Sequence, residues 1–204
     1  ITFIAQFEDE LLRIWTKPKF VRGSHYVITL DRIAAREGGI AVVAAFLKHA
    51  GIKEQVAEWH DLGIVGKGFE VKAVLEGKGK DLALAPAWRS LPIDTKHFGK
   101  DLELRLLGLF DDLDEQLDGR LVKSENWQAL KTLREKFRGE IKCCYIDPPY
   151  NTGGDGFPYI DNYQSASWMT MVSDRISAAK PLLAEKGVLF ASVDAKERRH
   201  FESL

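Results

Sequence analysis

Residues 141–153 place a carboxylate, two prolines, an aromatic ring and a glycine-ended polar turn directly after a short apolar run. That order of residue types suits the holding of an exocyclic amine of a nucleobase. Such an amine is a poor nucleophile, because its lone pair is delocalised into the ring. As the nitrogen attacks a methyl group it becomes tetrahedral and positive. Acceptors aimed at its hydrogens therefore bind the transition state more tightly than the ground state. Asp147 offers a carboxylate acceptor and the carbonyl of Pro148 a second. Proline fixes its own φ and holds the preceding residue extended, so that carbonyl points in a set direction with little entropy to lose. Tyr150 offers a flat face on which a base can stack, worth roughly 1–3 kcal/mol. Pro149, Asn151, Thr152 and Gly153 form the turn that brings the backbone close to a ligand. The plain alternative is a strand followed by a Pro-Pro turn.

These residues must be positioned by the elements around them. Residues 141–146 are short, apolar and β-rich apart from Lys142, and read as a buried strand of a parallel sheet. Asp147 then falls at its carboxyl end, where open α/β sheets bind ligands. Upstream, residues 120–123 read as a short strand. Ser124 or Asn126 is placed to cap a helix over 127–137, so that strand, helix and strand form a right-handed crossover. Downstream, Ser165 or Ser167 is placed to cap a helix over 168–183, with Pro181 breaking its last turn. Gly187 opens a further buried strand, and residues 196–204 begin another helix.

The amino-terminal part is organised differently. Phe3, Phe7, Leu11 and Ile14 recur at helical spacing, which predicts an amphipathic helix over 2–15 that Pro18 ends. A strand over 26–33, a helix over 34–50, a short helical segment over 53–59 and a strand over 69–75 follow. Residues 61–81 are rich in glycine and lysine, which places a boundary near residue 85. Residues 1–85 are then a mixed, helix-rich extension and residues 86–204 the catalytic part, with a short helix over 102–110. The acidic run 111–115 reads as a solvated turn and not as a metal site.

The composition is that of an ordinary globular chain, with 45% hydrophobic and 29% charged residues over 204 positions. A net charge of -1 gives it no general electrostatic hold on nucleic acid. Cys143 and Cys144 are neighbours, which on a strand point to opposite faces and serve packing, as suits a reducing, cytoplasmic setting. No run approaches the ~20 apolar residues of a membrane span. The five histidines have no ligand-like spacing, and Trp15, Trp59, Trp88 and Trp127 read as core residues.

The stretch from Asp147 to Gly153, with Phe157 to Tyr163, Ser167 to Met169, Asp174 and Arg175, resembles the modification subunits of type III restriction–modification systems. These are adenine-specific DNA methyltransferases of the β arrangement. The likeness continues through Gly187 to Asp194 and Glu197. Upstream it takes in Leu91 to Thr95 and Leu121 to Leu130, and so covers residues 88–204 in outline. It implies a Rossmann-like α/β fold, S-adenosylmethionine as methyl donor and a flipped adenine of double-stranded DNA as acceptor. It further implies a restriction (helicase and nuclease) subunit as partner, a homodimer of the full-length protein, and neither membrane nor metal. Asp147, Pro148 and Tyr150 carry over as the target-base site. Glu125 and Asn126, with Asp147, carry over as one wall of the donor site, although the commoner family pattern there is Gly-Asp-Asn and this chain has Ser124-Glu125-Asn126. Phe157, Tyr159 and Trp168 follow the turn closely enough to close over the base. In the β arrangement a Phe-x-Gly-x-Gly donor turn follows the catalytic motif. This sequence has none, so the chain is expected to be a truncated piece that binds no donor alone. Methylation of a cytosine amine, and a non-catalytic scaffold that keeps the fold for assembly, are the competing readings.

Overall fold

The structure, a computed structural model, describes residues 23–151 and 165–203. The helix expected over 2–15 lies outside them, as do Thr152, Gly153, Phe157 and Tyr159. The chain forms two compact units. One has residues 23–120 as its described part, and the other residues 121–151 and 165–203.

In the first unit, β1 (Val27–Thr29) leads into α1 (Leu30–Ala34), α2 (Gly39–Lys48) and α3 (Ile52–Asp61). A small hairpin of β2 (Leu75–Glu76) and β3 (Ala83–Leu84), then β4 (Pro92–Asp94) and α4 (Lys100–Leu107), complete it. β1 and β4 pair antiparallel, with Ile28 opposite Ile93. The strand expected over 26–33 stops after three residues. The amides of Leu30 and Asp31 donate to the carbonyls of Leu91 and Arg89, which turns the chain. Leu30 and Ile33 are then buried at helical spacing. The single helix expected over 34–50 is divided at Gly38, whose φ of 74° lies in the left-handed region that glycine tolerates. The strand expected over 69–75 is a 3₁₀ turn, Val71–Ala73, before the two residues of β2.

The core of this unit draws Phe46 and Trp59 from one side of residue 85, and Ile93, Phe98 and Leu106 from the other. One hydrophobic core therefore runs through the position where the glycine-rich stretch suggested a boundary. The outer edge of β4 is sealed by side chains. Trp59 Nε1 donates to the carbonyl of Pro92 at 2.8 Å, and the amide of Asp94 donates to Gln55 Oε1 at 2.6 Å. Both side chains lie one turn apart on α3, so a helix occupies the strand edge that would otherwise template further pairing.

Gly51 sets where α3 begins. A Cβ there would lie 1.9 Å from the carbonyl oxygen of His97. Gly51→Ala is expected to destabilise this unit by about 1–3 kcal/mol through overpacking, a fall of roughly 4 °C or more in melting temperature. A thermal melt followed by circular dichroism checks this. An unchanged transition would show that the His97 segment yields freely.

The second unit contains α5 (Asn126–Phe137), β5 (Ile141–Ile146), α6 (Ser165–Ala179), β6 (Leu183–Ala191) and α7 (Ala195–Phe201). β5 and β6 are parallel, with Cys144 opposite Leu189 and Tyr145 opposite Phe190. Residues 120–123 form no strand, and Leu121 is fully exposed. The parallel connection is therefore β5–α6–β6 and not one that begins upstream. β6 starts at Leu183, before Gly187, and the register shifts between Ile141 and Cys143. Trp168, Val172, Ala178 and Ala179 on α6 are buried together with Leu182.

The expectation of a buried β5 needs correction. Cys143 and Tyr145 share one sheet face with Val188 and Phe190, and that face is exposed: Tyr145 at 67%, Phe190 at 56%. The opposite face, with Cys144, Ile146, Leu189 and Ala191, is half-buried. Among the described residues the sheet has two strands and one of its faces has no cover. Burial pushes the Cys144 thiol pKa up, with Cys143 adding to the effect. Trp127 is 43% exposed and not core, with the Lys131 ammonium 5.1 Å from its ring centre. The chain is thus a mixed α/β protein. Among the described residues no helix is long and apolar enough to cross a membrane, and no cluster of side chains could hold a metal ion.

Candidate functional site

Asp147 follows β5 directly and is exposed. Among the described residues none donates to its carboxylate, and none donates to the carbonyl of Pro148. The next carbonyl is treated differently. Pro149 accepts a hydrogen bond from Trp168 Nε1 at 2.7 Å. Two consecutive prolines thus have opposite roles, with one acceptor left open beside an open carboxylate and one used to fasten the turn.

Tyr150 and Asn151 are fastened just beyond the end of the parallel neighbour. β5 and β6 run in the same direction, so their carboxyl ends lie side by side. The amide of Ser192, just past β6, donates to the carbonyl of Ile146 at 3.0 Å. The Ser192 hydroxyl lies 2.7 Å from the Tyr150 hydroxyl. The half-buried tyrosine ring is therefore held at its far edge, while its faces are left to packing or ligand. Asn151 is buried and has a φ of 60°. Asparagine is one of the few residues that enters this region without large penalty. Its Nδ2 donates to Glu197 Oε1 at 2.6 Å, and its carbonyl accepts from Lys196 Nζ at 2.7 Å.

Glu197 lies on α7 and is fully buried. It also accepts from Ser165 Oγ at 3.4 Å and lies 2.7 Å from His200 Nδ1. Burial alone would raise the pKa of its carboxyl. The bonds from Asn151 and His200 outweigh burial and hold it below the usual carboxylate range.

Trp168 is fully buried, and its indole supports the turn through Pro149. Glu125 is the N-cap of α5. Its Oε2 accepts from the Gln128 amide at 3.1 Å, in place of the Ser124 or Asn126 cap expected from the sequence. Its Oε1 accepts from Arg175 Nη2, also at 3.1 Å. Burial raises its pKa, but the amides of Gln128 and Trp127 and the Arg175 charge outweigh that and lower it. Asn126 is the first residue of α5. Trp168 and Arg175 are seven residues apart, which puts them on one face of α6 and about 10 Å apart along its axis. One helix face therefore touches the Asp-Pro-Pro-Tyr turn at one end and Glu125 two turns later.

The structure thus gathers Pro149, Tyr150, Asn151 and Trp168, and adds Ser192, Lys196 and Glu197. Ser192 and Lys196 carry no signal of their own in the sequence. Glu197 does, since Asp194-x-x-Glu197 has the spacing of a capping box. Asp194 does cap α7, accepting from the Lys196 amide at 2.8 Å. Glu197 instead turns towards Asn151.

No protein-family profile matches the chain, and no solved structure matches it. Among curated proteins, the probable type III restriction-modification enzyme HindVI Mod subunit of Haemophilus influenzae is 43% identical over 84 residues, 41% of this chain and 11% of that protein. The type III restriction-modification enzyme EcoPI Mod subunit of Escherichia phage P1 is 30% identical over 107 residues, 38% of this chain and 17% of its own length. The type II methyltransferase M.KpnI of Klebsiella pneumoniae is 34% identical over 89 residues, 39% of this chain and 21% of its own. The matched stretch is thus less than a quarter of each relative. The resemblance to type III modification subunits is borne out by these matches.

Proposed function

We propose that this chain carries the target-base site of a DNA methyltransferase of a restriction–modification system, one that transfers a methyl group from S-adenosylmethionine to the exocyclic amine of adenine. The observation that carries this reading is the open pair of acceptors, Asp147 carboxylate and Pro148 carbonyl, on a turn whose Pro149 carbonyl, Tyr150 hydroxyl and Asn151 side chain are fastened. An amine between them would give one hydrogen to each, and both bonds would strengthen as positive charge develops on nitrogen. The base would have to leave the helix stack to reach them. Tyr150, held at its hydroxyl by Ser192, would present a ring face to it. The Rossmann-like arrangement implied by the motif is supported by the parallel β5–α6–β6 unit with the site at its carboxyl end.

The donor, when bound, supplies an electrophilic methyl group on a sulfonium centre. It needs acceptor side chains for its ammonium and hydroxyl groups. Asp147 fits that need with an open carboxylate. Glu125 fits it only through lone pairs left over from its bonds to Gln128 and Arg175. Double-stranded DNA, a restriction subunit and a second copy of the modification subunit are the partners proposed for the whole protein; the names of its relatives, Mod subunits of restriction-modification enzymes, support the restriction–modification setting alone.

Incubating the intact protein with duplex DNA and isotopically labelled donor, then digesting the DNA to nucleosides, tests this reading. Label is expected in N6-methyl-2′-deoxyadenosine. Label in N4-methyl-2′-deoxycytidine would assign the other amine, and no label in either would point to the scaffold reading.

A further inference from the structure

We infer that Glu197 is a positioning residue for the Asp-Pro-Pro-Tyr turn, acting through Asn151 from α7. The inference rests on the methyl-transfer reading proposed above for what the turn does, but not for how the turn is held.

Asn151 directly follows Tyr150, and among the described residues it is the one non-glycine residue with positive φ. A residue keeps such a backbone conformation only where its surroundings over-determine it. Here the side chain is tied to Glu197 and the carbonyl to Lys196, both in the first turn of α7. Three sequential residues are thus each fastened to a different element. Pro149 is held by α6, Tyr150 by the end of β6 and Asn151 by α7. Asn151 is the last of them, so its conformation sets how the preceding residues leave β5.

Glu197 is an unusual residue for this task unless the task needs a charge. A fully buried carboxylate is costly unless it is well paired. The helix does not need it, because Asp194 already caps α7. Its partners are Asn151 Nδ2, Ser165 Oγ and His200, drawn from the turn, the start of α6 and its own helix. A charge-assisted acceptor binds an amide N–H about twice as strongly as a neutral one, which suits the holding of Asn151 in a conformation it would otherwise leave.

The test uses Glu197→Ala, Glu197→Gln and Asn151→Gly in the intact protein, with two readouts. The first is single-turnover methylation alongside DNA and donor affinity, measured well below each variant's melting temperature. Glu197→Ala is expected to lower the methylation rate about 10²-fold, the loss that a displacement near 1 Å produces, with affinities little changed. Glu197→Gln keeps an acceptor of the same reach and is expected to stay within about fivefold of the parent. Glu197→Ala combined with Asn151→Gly should be no slower than the slower single variant, since both act on one contact. The second readout is independent of activity: hydrogen exchange at the Trp168 indole, which donates to Pro149. Glu197→Ala should speed that exchange, and Glu197→Gln should do so by clearly less. If exchange and rate are both unmoved by Glu197→Ala, or if its loss multiplies with that of Asn151→Gly, Glu197 does not position the turn. If the parent protein transfers no methyl group, the proposed function falls, and the indole exchange alone decides whether Glu197 holds the turn.

Discussion

Asp147→Ala in the intact protein is expected to slow methyl transfer by about 10²–10³-fold while leaving the fold and the melting temperature in place. The carboxylate is exposed, and among the described residues none donates to it, so its removal leaves no partner unsatisfied. Surface substitutions of that kind stay within about 0.5 kcal/mol in stability. Losing a single preorganised acceptor of developing charge costs about 2.7–4 kcal/mol of transition-state stabilisation, or 10²–10³ in rate. Asp147→Asn keeps an oxygen acceptor of roughly half the strength and is expected to fall between. Single-turnover methylation measured beside circular dichroism separates the two effects. A near-parental rate for Asp147→Ala would remove the carboxylate from the mechanism.

Trp168→Ala carries the largest expected effect on stability. The side chain is fully buried, and truncating such a residue costs about 3–5 kcal/mol. The same change strips the Pro149 carbonyl of its donor. Trp168→Phe keeps a large apolar ring but loses the pyrrole part with its N–H, which leaves the part-buried Pro149 carbonyl without its donor at about 1–3 kcal/mol. Urea unfolding should therefore order the variants parent, Phe, Ala. Equal losses for Phe and Ala would mean that the indole bond, and not packing, dominates. No loss for either would mean that this tryptophan supports nothing.

Strand β5 was legible to the residue, because an apolar, β-rich run ended by Pro-Pro leaves little room for another reading. Helix α5 was legible except for its cap: Ser124 and Asn126 are better capping types than Glu125, but Glu125 has Arg175 beside it. Residues 120–123 look like a strand by composition, yet pairing needs a neighbour that local sequence cannot supply. Residues 26–33 failed for the converse reason, since the carbonyls of Arg89 and Leu91, distant in sequence, turn the chain at Leu30. The candidate site divides in the same way. Asp147, Pro148 and Tyr150 declare themselves through a contiguous motif. The residues that hold the motif are scattered over α6, the end of β6 and α7, and Glu197 resembles a helix cap.

That scatter bears on the order in which the molecule assembles. The bonds that shape the turn, Pro149 to Trp168, Tyr150 to Ser192 and Asn151 to Glu197, close chain loops of 19, 42 and 46 residues. Contacts of such separation form only after loop-closure entropy has been overcome, and they are slow relative to helix or hairpin formation. During synthesis Asp147 and Pro148 leave the ribosome before any of the residues that hold their turn, apart from those of β5 itself. The two acceptors are therefore present in the nascent chain well before they are aimed, and the turn takes its full shape only with the arrival of α7.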